Sequence, residues 1–146
     1  MAIDLSEDNA KVIAVIGIQE HILKQDTLMG CTWIKHFRRI PSRRKKSYLR
    51  AFERRFKRIL KYIEISRVFT MDNKDKLIIL IKELKPSLII IDNKLYQLIE
   101  YRNKLAENRI KSKHLKTIML LADNFANYAR YMISEGRLDK VKALEK

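Results

Sequence analysis

The chain has 146 residues and a mass of 17.4 kDa, the size of one domain, and its 47% hydrophobic content is enough for a packed core. Lys and Arg number 32 against 17 Asp and Glu, a formal net charge of +15 that calls for an anionic partner. A single cysteine, Cys31, excludes an internal disulfide and any cysteine-rich zinc module, and three glycines exclude a glycine-rich phosphate loop. No apolar run approaches the ~18–20 residues of a membrane span, and the first residues are not a signal peptide. These features lead us to expect a cytoplasmic protein in a reducing compartment, without a membrane partner.

Taken in chain order, the periodicities predict an all-α fold, a compact bundle of five to six helices. The first helix is expected from Glu7 to Leu23, with Ser6 as cap and Glu7 and Asp8 in its first turn. After a break at 26–31, a short helix from Thr32 to Ile40 carries Trp33, Ile34 and Phe37 and stops at Pro41. Ser42 then caps a long helix to about Ser66, in which Leu49, Phe52, Phe56, Ile59 and Ile63 form one apolar stripe. Asp72 or Asn73 caps a helix from Lys74 to Leu84, and Lys85-Pro86-Ser87 breaks it. Another helix is expected to about Asn108 on the spacing of Leu88, Ile91, Leu95, Leu98 and Leu105. Ser112 caps the last long helix, which runs through Ile133. Residues 1–134 read as one domain, with 135–146 a polar tail or short extra helix.

The alternative fold is α/β. Val12–Ile16, Leu77–Leu80 and Leu88–Ile91 are rich in β-branched residues and could be buried parallel strands. Asp92 would then end a strand, where a carboxylate for metal-dependent nuclease chemistry could sit. The helical reading is preferred because each run continues into a helical pattern without a turn residue.

The charge is concentrated. Between Lys35 and Lys61 lie thirteen bases, and Glu53 alone opposes them, so this window carries +12 of the +15. Arg50, Arg54, Lys57, Arg58 and Lys61 fall between the apolar positions and make a continuous basic face. Arg43, Arg44, Lys45 and Lys46 sit at the positive end of the helix macrodipole, a placement that a polyanion would stabilise. Lys35, Arg38 and Arg39 extend the face toward Trp33, which could stack on a base or meet a cation.

Catalytic signals are sparse. His21, His36 and His114 lie in separate segments without a second ligand at metal-site spacing, so no metal or cofactor is expected. Cys31 lacks a recognisable base and reads as an inert buried residue. Tyr101-Arg102-Asn103-Lys104-Leu105-Ala106-Glu107 resembles the Arg-Asn-x-x-x-His segment of HEPN-type RNases, which are helical bundles, but Glu107 stands where the histidine is required. Arg109 to His114 has suitable spacing, with Ile110 after the arginine.

Three segments read in order are similar to the small helical, Csm-type subunit of type III CRISPR effector complexes. They are Cys31-Thr32-Trp33-Ile34-Lys35-His36-Phe37, then Leu84-Lys85-Pro86-Ser87-Leu88 followed by Lys94, and finally Leu121 to Tyr131 with its Ala-Tyr pairs. The resemblance implies a non-catalytic protein of antiviral defence, stacked in several copies along a crRNA–target duplex with other subunits of a larger complex. It also implies a backbone contact for Lys94.

The expected function is therefore a non-enzymatic RNA-binding subunit that holds phosphates through its basic helix. Alternatives are a basic DNA-binding or coat-like viral protein, or one regulating a polymerase, and a degenerate HEPN-like RNase. Phosphate contacts release counterions, so affinity for unrelated oligonucleotides of equal length should fall steeply between about 50 and 200 mM salt. A shallow salt slope with strong preference for one sequence would refute this expectation.

Overall fold

The computed structural model describes residues 1–7, 11–25 and 31–146. It corrects the all-α expectation, because segments between Ala2 and Ala106 form a five-stranded mixed sheet, and the fold is α/β. The strands are β1 (Ala2–Ser6), β2 (Val12–Gly17), β3 (Ile65–Thr70), β4 (Ile89–Ile91) and β5 (Lys104–Ala106), in the spatial order β3-β2-β1-β4-β5. The first three form an antiparallel meander, whereas β1 pairs with β4, and β4 with β5, in parallel.

The helices are α1 (Glu20–Lys24), α2 (Lys45–Ile59), α3 (Lys74–Leu84), α4 (Lys113–Ser134) and α5 (Leu138–Lys142). They cover both faces of the sheet, which explains the misread pattern. A strand buried on two sides needs apolar residues at every position, so its period-2 signature disappears. All six residues of β2 are buried, and Ile89, Ile90 and Ile91 are buried likewise. Alternation survives only in which layer each side chain enters. Ala2, Ala14, Ile16 and Ile90 join the core under α2 and α4, while Ile3, Ile13, Val15, Ile89 and Ile91 meet Leu77 and Ile81 of α3.

The helix expected from Glu7 to Leu23 is thus mostly β2, with only Glu20–Lys24 helical, and Ser6 is a strand residue rather than a cap. Residues 8–10 and 26–30, on which part of that helix and the following break were placed, lie outside the described residues. The segment from Thr32 to Ile40 holds a single 3₁₀ turn at Phe37–Arg39. The basic helix is shorter than expected. Ser42 opens a 3₁₀ turn, Arg44 is the N-cap of α2, and the chain turns into β3 after Leu60–Tyr62. Leu88 to Asn108 is β4, turns and β5 instead of a helix. The expected boundaries of α3 and α4 agree with those observed, to within one residue at the C-terminus of α4.

The long helix α4 lies across β1 and β2. Ala122, Ala126 and Ala129 are fully buried on it, and small side chains let the helix approach the strands closely. Above it α2 packs through aromatic rings, Phe52 against Tyr128 at 5.9 Å and Phe56 stacked on Phe125 at 5.2 Å. At the outer edge, Ser66 and Lys146 exchange backbone hydrogen bonds of 3.2 and 2.9 Å, so the C-terminal residues pair with β3. Phe52 has no exposed surface and touches the rings of Trp33, Phe56 and Tyr128. Phe52→Ala should therefore cost about 3–5 kcal/mol, read as a lower urea midpoint with an unchanged slope. A loss below 1 kcal/mol would show that the two helices do not depend on this ring.

Candidate active site

The strand register sets the chemistry. In the parallel pairs, Ala2 lies opposite Ile90, Ile3 opposite Ile91, and Ile91 opposite Ala106. One residue further toward the carboxyl end of each strand stand Asp4, Asp92 and Glu107. The Asp92 amide donates to the Ile3 carbonyl at 2.9 Å, which carries the ladder past the end of β4. Neighbouring strands are about 4.8 Å apart, so three carboxyl groups in one row must come close. One oxygen from each lies within 4.8 Å of the others. Asp4 shares its face of β1 with Ala2 and Ser6, toward α4, which adds Asp123 to the same cleft.

Four carboxyl groups so placed oppose one another. Asp4 is only 4% exposed, and burial first, then Asp123, Asp92 and Glu107, hold its carboxyl well above the usual range. Burial is also the main cause of the upward shifts of Asp92 and Glu107, partly offset at Asp92 by the Lys94 amide, which donates to its Oδ1 at 2.7 Å. Among the described residues, no Lys, Arg or His lies within 4.0 Å of the carboxylates of Asp4, Asp92 or Glu107. Asp123 is anchored differently. Its Oδ2 accepts the Phe37 amide at 2.9 Å and lies 3.7 Å from His36 Nδ1.

These groups line an open cleft of about 720 Å³ rimmed by Arg38, Arg39, Lys94 and Lys116. Hard anionic oxygens with no thiolate among them match Mg²⁺ or Mn²⁺, which take carboxylates and complete their shells with water and phosphate oxygens. An apolar cavity of about 390 Å³, to which Leu23, Leu88, His114 and Ile118 contribute, brings no such set together.

Of the basic residues expected to bind nucleic acid, Arg38, Arg39 and Lys94 stand on the cleft rim and the others lie outside it. Lys35, Arg38 and Arg39 are exposed on the segment that ties Asp123 to α2, where the Tyr48 hydroxyl bonds the Lys35 backbone. Arg43, Arg44, Lys46, Arg50, Arg54, Lys57, Arg58 and Lys61 are exposed on the turns and α2, with Lys57 held by Glu53 at 2.8 Å. Lys45 is half-buried over the Phe37 ring. Lys94 lies far from α2 in sequence but on the cleft rim, paired with Glu7.

Trp33 packs between Tyr48 and Phe52 with the Arg55 guanidinium 4.7 Å over its ring. Cys31 is buried, and burial pushes its thiol up. The segment compared with HEPN RNases is a turn leading into β5 rather than a helix, and its Glu107 belongs to the carboxylate row.

Sequence reasoning reached Asp92 only through the α/β alternative, and missed Asp4, Glu107 and Asp123 as functional groups. The available signal was an apolar run ending in an acid, Ala2-Ile3-Asp4 and again Ile89-Ile90-Ile91-Asp92. Comparison with family models, curated proteins and solved structures yields no match.

Because the Asp4 carboxyl is raised in the fold, the unfolded chain gives up that proton at lower pH. The stability tied to the protonated form is present below the ordinary Asp range and is lost as pH rises through the raised value. In metal-free buffer, Asp4→Asn should melt above the wild type by a margin that widens from about pH 4 upward. By pH 8 the margin should reach about 2–4 °C, the shift that 1 kcal/mol produces at this size. Mg²⁺ should narrow it by binding the wild type. A margin independent of pH would refute the charged cluster.

Proposed function

We propose that the protein is a divalent-metal-dependent nuclease, in place of the non-catalytic binding subunit expected from the sequence. The observation that carries this reading is the row of Asp4, Asp92 and Glu107, brought together by register with a buried member and, among the described residues, no ion pair within 4.0 Å to any of the three. A protein gains nothing in stability from assembling buried like charges, so such a row is characteristic of a site that holds a cation.

Asp4, Asp92, Glu107 and Asp123 would hold the ion or ions. Bound there, Mg²⁺ supplies Lewis-acid polarisation of a phosphoryl oxygen and a water nucleophile at neutral pH. The chain's own residues do the rest. Arg38, Arg39, Lys94 and Lys116 offer donors to the non-bridging oxygens at the cleft. The exposed cations from Arg43 to Lys61 take flanking phosphates and position the strand without reading its bases. A carboxylate cleft that repels phosphate in the absence of metal, beside a basic face that attracts it, makes both metal and salt dependence necessary consequences.

The test is incubation of the purified protein with labelled single- and double-stranded DNA and RNA, with Mg²⁺, Mn²⁺ or EDTA. Cleavage should require the ion and fall at least about 100-fold in Asp4→Asn and Asp92→Asn, since the electrostatic contribution at stake is several kcal/mol. Arg102→Ala and His114→Ala should cleave as the wild type does. Replacing Arg50, Arg54, Lys57 and Arg58 by Gln should weaken substrate binding in EDTA and flatten its salt dependence, while the metal requirement stays. Cleavage in EDTA, or none on any substrate with either ion, would overturn the reading.

A further inference from the structure

Behind the cleft lies a hydrogen-bond chain, buried at Arg130 and Ser6 and part-buried at Asn127. Arg130 of α4 is only 9% exposed. Its Nε donates to Ser6 Oγ at 2.7 Å, and its Nη2 to Asn127 Oδ1 at 3.2 Å. Ser6 Oγ donates to the same Asn127 oxygen at 3.0 Å. The Asn127 amide then donates to the Asp123 carboxylate, Nδ2 to Oδ1 at 3.1 Å, and to the Asp123 carbonyl at 2.8 Å.

The direction of this chain follows from its ends. A guanidinium has donors only and an ionised carboxylate has acceptors only. With two donors aimed at Asn127 Oδ1, the amide has one orientation, its NH₂ toward Asp123. Ser6 accepts from Arg130, so its own proton is committed to Asn127. Ser6, Asn127 and the Asp123 carboxylate are thereby joined in one direction, and each donor strengthens the next. The remaining carboxylate oxygen of Asp123 is held by the Phe37 amide at 2.9 Å.

The location of the chain is informative as well. Ser6 is two residues beyond Asp4 on β1, so the two side chains share one face of the sheet. Asn127 is one helical turn beyond Asp123 on α4. The chain therefore joins the two elements that carry Asp4 and Asp123, one turn away from the carboxyls themselves. The Arg130 guanidinium also lies 4.8 Å over the Tyr131 ring, and two of its nitrogens are directed into the chain that leads to Asp123.

We propose that Arg130, acting through Ser6 and Asn127, is a positioning residue that orients Asp123 against Asp4 for a divalent cation. The inference rests on the nuclease reading only through the metal site, and metal binding without substrate tests it directly. Partners of this kind behind a ligating side chain typically change metal affinity 10–100-fold.

Mn²⁺ binding to the intact 146-residue chain would be measured by electron paramagnetic resonance, with no nucleic acid present. Asn127→Ala and Arg130→Met should weaken it about 10–100-fold, while circular dichroism and oligonucleotide affinity in EDTA stay those of the wild type. Ser6→Ala should weaken it too, and Ser6→Thr, which keeps the hydroxyl, should restore it. This last pair decides the matter if either α4 variant fails to fold. Variants that melt earlier yet bind Mn²⁺ like the wild type would show a merely structural network and overturn the proposal, provided that Asp123→Asn weakens binding. Wild-type protein that binds no Mn²⁺, or binds it equally in Asp4→Asn, would instead overturn the metal site and this inference with it.

Discussion

Parallel pairing of β1, β4 and β5 is the constraint on which the remainder of the structure depends. Because Ile3 is level with Ile91 and Ile91 with Ala106, the next residues of three strands far apart in sequence become neighbours. A slip of one residue in either pair would turn a carboxylate to the opposite face, into the apolar layer under α3. The register is protected by the isoleucines that precede the acids. Ile3, Ile89 and Ile91 fill one layer and Ile90 the other, so each pairing error would also expose apolar surface or bury a polar group. Apolar packing and site geometry are therefore specified by the same residues.

Two opposite fields sit side by side on one molecule. The chain carries +15 overall, yet four carboxyl groups converge in one cleft. What keeps the fields apart is the segment from Cys31 to Ile40. Ile34, Phe37 and Ile40 are buried beneath it, and the Asn124 side chain donates to the Lys35 carbonyl at 2.9 Å. Arg38 and Arg39 are left outside, at the rim between the acids and the basic helix. A polyanion drawn to α2 by long-range attraction would meet a region that repels it until cations are bound.

The helix α4 links these features. One side of it packs on the sheet through small residues, another receives Phe52 and Phe56 of α2, and a third presents Asp123 to the cleft with Asn127 and Arg130 behind it. Its amphipathic pattern is readable because most of its length meets one core. Asn124, which has no exposed surface, and Arg130 are legible as buried only once β1 and the Lys35 segment are seen against them.

By itself the sequence determined the elements whose signals are local. The limits of α3 and most of α4 follow from amphipathic period and breakers, and the basic, aromatic-backed character of α2 follows from Leu49, Phe52 and Phe56 set among cations. It also located the concentration of positive charge between Lys35 and Lys61. The sheet was hidden because a strand covered on both faces loses alternation, so Val12–Gly17 and Ile89–Ile91 read as apolar stretches of helix. The carboxylate site was hidden for a different reason. Asp4, Asp92, Glu107 and Asp123 share no spacing that any local motif could reveal; the pairing of strands distant in sequence brings the first three within 4.8 Å, and the packing of α4 on β1 adds Asp123 to their cleft.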